Sequence, residues 1–174
     1  MTIAFSGHCD AFDFHKIGGT DALVRRIALH LAQREKVYVV TYGHDQASRE
    51  DLAPRVTHIR CTSFGDLLDT VAQEKISDVV TIYFHAKDRL RLITRGRHAR
   101  FHTVLTTYNS ALWKRWALLW SSRLCFNGVK FCISQRIAQA MGRLSHRAVL
   151  LWPPVEDDFF CTPTGSKGGG VKYA

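Results

Sequence analysis

Short apolar runs alternate along the chain with segments whose apolar residues recur every three or four positions. Residues 2–6, Thr-Ile-Ala-Phe-Ser, form the first run and stop at polar and glycine residues, which predicts a buried strand. A loop follows as far as Gly19. Thr20 is placed to cap a helix over 21–34, with Leu23, Ile27 and Leu31 on one face. Residues 37–42, Val-Tyr-Val-Val-Thr-Tyr, are β-branched and aromatic and predict a second strand. The alternation continues with a weak strand at 56–61, a helix over 64–75 carried by Phe64, Leu67, Leu68 and Val71, and a strand over 78–84. A short helix or turn at 89–95, a strand at 103–107, a helix at 111–123 and a strand at 129–133 come next. A helix led by Ser134 reaches about Gly142, and a last strand covers 148–151.

Strands and helices in strict alternation, joined by short loops, predict an α/β protein: a Rossmann-like doubly wound parallel sheet with helices on both faces. The nearly continuous apolar strands agree, because a strand covered on both faces has no polar side. No internal repeat interrupts the series. After Leu151 the texture changes. Trp152-Pro153-Pro154 stops regular structure, and 162–170, rich in Gly, Pro, Ser and Thr, reads as a flexible linker. Residues 171–174 look like the opening of another strand. Residues 1–151 are therefore expected to form one domain, and 152–174 a linker with the truncated start of a missing C-terminal domain.

Composition narrows the class. The chain has 174 residues, 46% hydrophobic and 22% charged, which suits one folded domain with a core and not a disordered chain. No apolar run approaches the roughly 18 residues of a spanning helix, and the N-terminus lacks the basic start of a secretory signal. The five cysteines are odd in number, widely spaced and without a CxxC pair. That disfavours a disulfide framework or a structural zinc site and predicts reduced thiols in the cytoplasm.

In a doubly wound sheet, ligands bind beyond the carboxyl ends of the strands, and four features are expected there. Gly18 and Gly19 precede a helix whose free N–H groups would suit a phosphate or diphosphate; a plain tight turn is the other reading. The chain holds neither GxGxxG nor GxxxxGK[ST]. His85, just past a strand, can bind or move a proton, or be an ordinary loop histidine. Tyr108, Asn109 and Ser110 follow the next strand and can line the cleft, cap the following helix, or both. Ser134 is either an N-cap or a ligand contact. No HExxH or GxSxG pattern occurs, and no metal site is predicted.

The net charge of +9 points to an anionic partner, and it is concentrated. Lys87, Arg89, Arg91, Arg95, Arg97 and Arg100 stand against Asp88 alone within fourteen residues. Next along the chain, Trp113, Trp116 and Trp120 recur on one helical face, with Lys114 and Arg115 beside it. A tryptophan face edged by cations suits peripheral contact with an anionic membrane; the alternative is a core face packed on the sheet. Nucleic acid is a weaker partner, because no RNP, KH or zinc motif accompanies the aromatics.

Taken in order, several segments resemble the N-terminal half of retaining glycosyltransferases of the GT-B fold, family 4 (glycosyl transferase group 1). They are the first strand with Gly18-Gly19-Thr20-Asp21 and its helix, Val37-Tyr38-Val39-Val40-Thr41, the strand from Ser77 ending in His85, Val129-Lys130-Phe131-Cys132-Ile133-Ser134, and Leu150-Leu151-Trp152-Pro153-Pro154-Val155-Glu156-Asp157-Asp158-Phe159-Phe160. The order and spacing of these segments carry the resemblance, and it covers nearly the whole chain.

The resemblance implies a two-domain enzyme that transfers a sugar from a nucleotide-sugar to an acceptor, here a glycan or a lipid, with no tightly bound cofactor and no catalytic metal. It implies that Gly18, Gly19 and Thr20 approach the donor diphosphate. His85 becomes the catalytic candidate on the acceptor side, and Tyr108, Asn109 and Ser134 become acceptor contacts. Many members carry His where this chain has Asn109. The donor-binding residues belong to a second domain, so the chain alone is expected to be inactive or nearly so. Two other readings stay open: a free-standing Rossmann-like module that pairs with a separate donor-binding chain, and a basic nucleic-acid-binding domain.

Overall fold

The computed structural model describes residues 2–10, 12–15, 19–82, 84–95, 98–105, 112–132, 135–142 and 148–150. Eight strands form one sheet: β1 (Thr2–His8), β2 (Lys36–Tyr42), β3 (Ser48–Ala53), β4 (Val56–Cys61), β5 (Asp78–Ile82), β6 (Arg100–Leu105), β7 (Lys130–Cys132) and β8 (Ala148–Leu150). Five helices connect them: α1 (Gly19–Leu31), α2 (Phe64–Gln73), α3 (Ala86–Arg95), α4 (Leu112–Cys125) and α5 (Gln135–Gly142). The strand order is β3-β4-β2-β1-β5-β6-β7-β8, parallel throughout except for β3 at the edge. This is an α/β fold of Rossmann-like type. The chain winds outward from β1 to β2 and β4, then crosses back to the other side of β1 to lay down β5. The order therefore reverses between β1 and β5, and the crevice at that reversal is where such sheets bind ligands.

Alternate residues of the central strands feed two separate cores. Ile3, Phe5, Val37 and Val39 join Val24 and Ala28 of α1 on one face. Ala4, Tyr38 and Val40 join Phe64, Leu67 and Val71 of α2, Leu92 of α3 and Cys125 of α4 on the other. That double coverage explains why β1 and β2 carry consecutive apolar residues, Ile3-Ala4-Phe5 and Val37-Tyr38-Val39-Val40, and not only one at every second position. Helix α2 opens with a capping box. The Asp66 amide donates to Ser63 Oγ at 3.2 Å, and the Ser63 amide donates to Asp66 Oδ2 at 3.0 Å. Such a cap contributes about 1 kcal/mol.

Several expectations shift. Helix α1 begins at Gly19, so Thr20 lies inside its first turn and is not the cap, and the last expected turn is a set of tight turns instead. Helix α3 starts at Ala86, because the His85 carbonyl accepts the amides of Asp88 and Arg89, each at 3.0 Å. Strand β6 starts at Arg100, three residues before the expected strand; its polar start is held by Asp78 of β5. Strand β3 was not expected at all. Its sequence Ser-Arg-Glu-Asp-Leu-Ala has no β-branched residue, and its partners on β4 hold it: Thr57 Oγ1 donates to Asp51 at 2.8 Å and Arg60 Nη2 to Glu50 at 2.7 Å. The second expected segment, 152–174, lies outside the described residues. No described helix is long and apolar enough to cross a membrane.

Candidate functional site at the reversal of strand order

Strands β1 and β5 end side by side at the reversal. The ring of His8, the last residue of β1, meets the ring of His85, three residues past β5, edge to face with centroids 4.4 Å apart. Tyr42, at the end of β2, closes on the other side of His8 at 5.0 Å. Gly43 follows with φ +93°, a conformation that favours glycine. A Cβ there would stand 2.6 Å from His8 Nε2, so the bare backbone is what lets the His8 ring lie where it does.

The Asp10 amide donates to His8 Nδ1 at 3.2 Å, and the Asp10 carboxylate lies 3.4 Å from the same nitrogen. The Tyr42 hydroxyl donates to Asp88 Oδ2 at 2.9 Å, and Arg91 Nη1 donates to Asp88 Oδ1 at 3.3 Å. Burial, reinforced by Asp88, pushes the Tyr42 phenol well up, so it stays protonated and serves as a prop. Arg89 Nε donates to the Phe84 carbonyl at 3.0 Å and fixes the loop that carries His85. His85 itself is exposed, and among the described residues its ring nitrogens make no hydrogen bond. The mouth thus offers two imidazoles, one held by Asp10 and a second that is exposed with no ring hydrogen bond among the described residues. That pair can orient a hydroxyl and accept or hold its proton.

Beside the mouth lies a cleft of about 240 Å³ whose lining includes Cys9, His15, Thr41, His44, His58 and Arg60. A separate hollow of about 290 Å³ lies on the α1 face among Phe5, Leu23, Ile27, Val80, Val104 and Phe131. Its walls are almost wholly apolar and supply little to orient a polar substrate.

Of the residues singled out from sequence, His85 takes its place in the mouth. Gly19 and Thr20 form the first turn of α1. Gly18, Tyr108, Asn109 and Ser134 lie outside the described residues. Lys87 and Arg91 are exposed on α3, as surface cations. Arg89 is not one of them: its guanidinium is drawn inward by Phe84 and Ser121, and burial pulls its pKa down. Trp116 and Trp120 are 52% and 44% exposed, so this part of the tryptophan row is not core. Helix α4 buries Ser122 and Cys125 instead. The side chain of Trp113 lies outside the description. Leu90 and Ile93 of α3 and Leu124 of α4 are also exposed, and α3 packs beside α4.

His8, Tyr42, Gly43 and Asp88 were missed. Ending the first strand at Ser6 left His8 in a loop, and Tyr42 passed as an ordinary strand aromatic. The usable signal was the pair of strand ends, each followed by a polar residue. No protein-family model matches the chain, and a search of curated proteins also returns no match.

Proposed function

We propose that the chain is the acceptor-binding half of a retaining glycosyltransferase that takes its sugar from a nucleotide-sugar donor, and that it meets a lipid or glycan acceptor at an anionic membrane. The observation that carries this reading is the His8–His85 pair at the reversal of strand order, 4.4 Å apart and open to solvent on the His85 side. In this reading His85 receives the acceptor hydroxyl and the His8 ring steadies an acceptor oxygen beside it. Tyr42, Asp88 and Arg89 hold the two rings and their loop without touching substrate. The first turn of α1, with Gly19 and Thr20, opens toward the donor diphosphate, and a separate donor-binding half holds the nucleotide.

The membrane part of the proposal is supported by the α3–α4 surface. Trp116, Trp120, Leu90 and Ile93 are exposed there with Lys87, Arg91 and Arg123, and the Arg123 guanidinium lies 5.4 Å from the Trp120 ring. Apolar groups edged by cations match an anionic bilayer, where aromatic rings enter the interface and cations stay at the headgroups.

The test separates the two parts. The chain is titrated with a panel of glycolipid and glycan acceptors and, separately, with nucleotide-sugars. Acceptor binding that His85→Ala weakens at least tenfold is expected. Nucleotide-sugar binding that ignores His85 and excludes acceptor overturns the assignment, and steeply salt-dependent binding to duplex or single-stranded nucleic acid replaces it with the nucleic-acid reading. Sedimentation with vesicles containing anionic lipid is expected to fall at least tenfold in a Trp116→Ala/Trp120→Ala variant. A parent chain that ignores vesicles but dimerises through this face overturns the membrane part alone.

A further inference from the structure

His15, Glu50 and His58 come from three places: the loop after β1, the edge strand β3 and its neighbour β4. One ligand atom from each lies within 4.8 Å of the others. Glu50 and His58 are cross-strand partners, so their spacing is set by the sheet. His15 is exposed on its loop, where its amide donates to Asp13 Oδ1 at 2.9 Å. Two imidazoles and a carboxylate are the protein ligands of an open zinc site. The neighbouring cleft of about 240 Å³, lined by His15, His44 and His58, leaves room for a water on the ion.

The surroundings of His58 supply an independent observation. The ring is buried, and its Nε2 lies 2.9 Å from Thr41 Oγ1, which lies 2.8 Å from His44 Nε2. Its Nδ1 faces Glu50 Oε1 at 3.4 Å. A metal-binding histidine characteristically has its second nitrogen tied to a partner, and Thr41 Oγ1 holds His58 Nε2 in that way. Arg60 Nη2 occupies Glu50 Oε1 at 2.7 Å and leaves the second carboxylate oxygen for an ion.

We infer that His15, Glu50 and His58 form a binding site for a divalent transition-metal ion, zinc by ligand type, with Thr41 and His44 behind it. The inference stands apart from the glycosyltransferase reading. It has a consequence for proton positions. Without metal, His58 Nδ1–H donates to Glu50, Nε2 accepts from the Thr41 hydroxyl, and Thr41 accepts from His44 Nε2–H. A metal on Nδ1 takes that lone pair and releases the Nδ1 proton. The Thr41 hydroxyl proton passes to His58 Nε2, the His44 Nε2 proton passes to Thr41, and His44 Nδ1 takes a proton from solvent, so that His58 Nε2–H now donates to Thr41 and the Thr41 hydroxyl donates to His44 Nε2. One proton leaves and one enters, so the chain reverses direction without net charge change on the three residues.

The experiment adds Zn²⁺ to the purified chain in competition with a chromophoric chelator, and follows the imidazoles by long-range ¹H–¹⁵N correlation. One ion per chain is expected. His15→Ala and Glu50→Gln are each expected to weaken binding at least tenfold, and the His44 proton to move from Nε2 to Nδ1 in the parent. His8, Cys9 and Asp10 form the other cluster with ligand atoms in reach, although burial and Asp10 hold the Cys9 thiol protonated. Cys9→Ser is therefore expected to leave binding unchanged. Less than one ion per chain, affinity that survives His15→Ala, or affinity lost in Cys9→Ser overturns the site. His15 is exposed, so its variant is expected to fold; if Glu50→Gln loses the Arg60 pair and unfolds, His15→Ala and the His44 signal decide the matter.

Discussion

The sheet carries a histidine at each edge, and the two differ in what their ring nitrogens are bonded to. At the amino edge, His102 donates from Nε2 to Asp78 Oδ1 at 2.9 Å and accepts the Val129 amide on Nδ1, also at 2.9 Å. Arg100 and Ser77 complete the carboxylate at 3.0 and 2.8 Å. Gly128 lies so close that a Cβ would stand 2.7 Å from His102 Nδ1. Both ring nitrogens are committed. At the carboxyl edge, Asp88 is spent on Tyr42 and Arg91, while His85 keeps its ring nitrogens for something outside the described protein. Residue type alone does not separate these two histidines; what their ring nitrogens are bonded to does.

The sharpest way to break this comparison is Asp78→Ala. It leaves a half-buried imidazole N–H without its acceptor, removes the partner of Arg100, and is expected to cost about 3 kcal/mol by denaturant unfolding, with acceptor binding per folded molecule unchanged. Gly43→Ala comes next. The positive φ and the 2.6 Å approach to His8 are expected to cost about 2 kcal/mol and to move the His8 ring, so acceptor binding falls with stability. A smaller effect follows from pH. Burial alone would raise Asp78, but hydrogen bonds from His102, Arg100 and Ser77 outweigh it and hold the carboxyl below its ordinary 3.8. The stability this gives is complete above that value and is lost as pH falls from there through the lower folded pKa. Asp78→Asn is expected to flatten the acid limb of a stability-against-pH curve; an unchanged limb would show that the amino-edge network contributes nothing. Smallest of all, His85→Ala and Trp116→Ala are each expected to alter stability by no more than about 0.5 kcal/mol. Their effects should appear in acceptor binding and vesicle binding respectively, and a large melting shift in either would show that it is structural.

The fold was legible because double coverage writes consecutive apolar residues into the middle of β1, β2 and β5: Ile3-Ala4-Phe5, Val37-Tyr38-Val39-Val40 and Val79-Val80. Legibility failed where polar side chains satisfy one another across strands. Strand β3 is held by Glu50 and Asp51 reaching β4, and the start of β6 by Arg100 and His102 reaching Asp78; neither leaves a hydrophobic trace. The same rule governs the sites. His85 was found because it follows a clear strand. His8 was missed by two residues of strand length, and His15, Glu50 and His58 are brought together only by the pairing of a strand that the sequence conceals. The tryptophan row was visible, but its exposure depended on how α4 rolls against the sheet, which helical spacing alone does not fix.

Strand β3 has one more consequence. It is the only described strand that runs against its neighbour, and it ends the sheet with Arg49, Glu50 and Asp51 in a ribbon whose register shifts between Asp51 and Ala53. Charges and an irregular register on an outer strand repel a further strand. In concentrated solution, copies of the chain should therefore not stack into fibrils through this margin, and replacing Glu50 and Asp51 with threonine should be what first allows it.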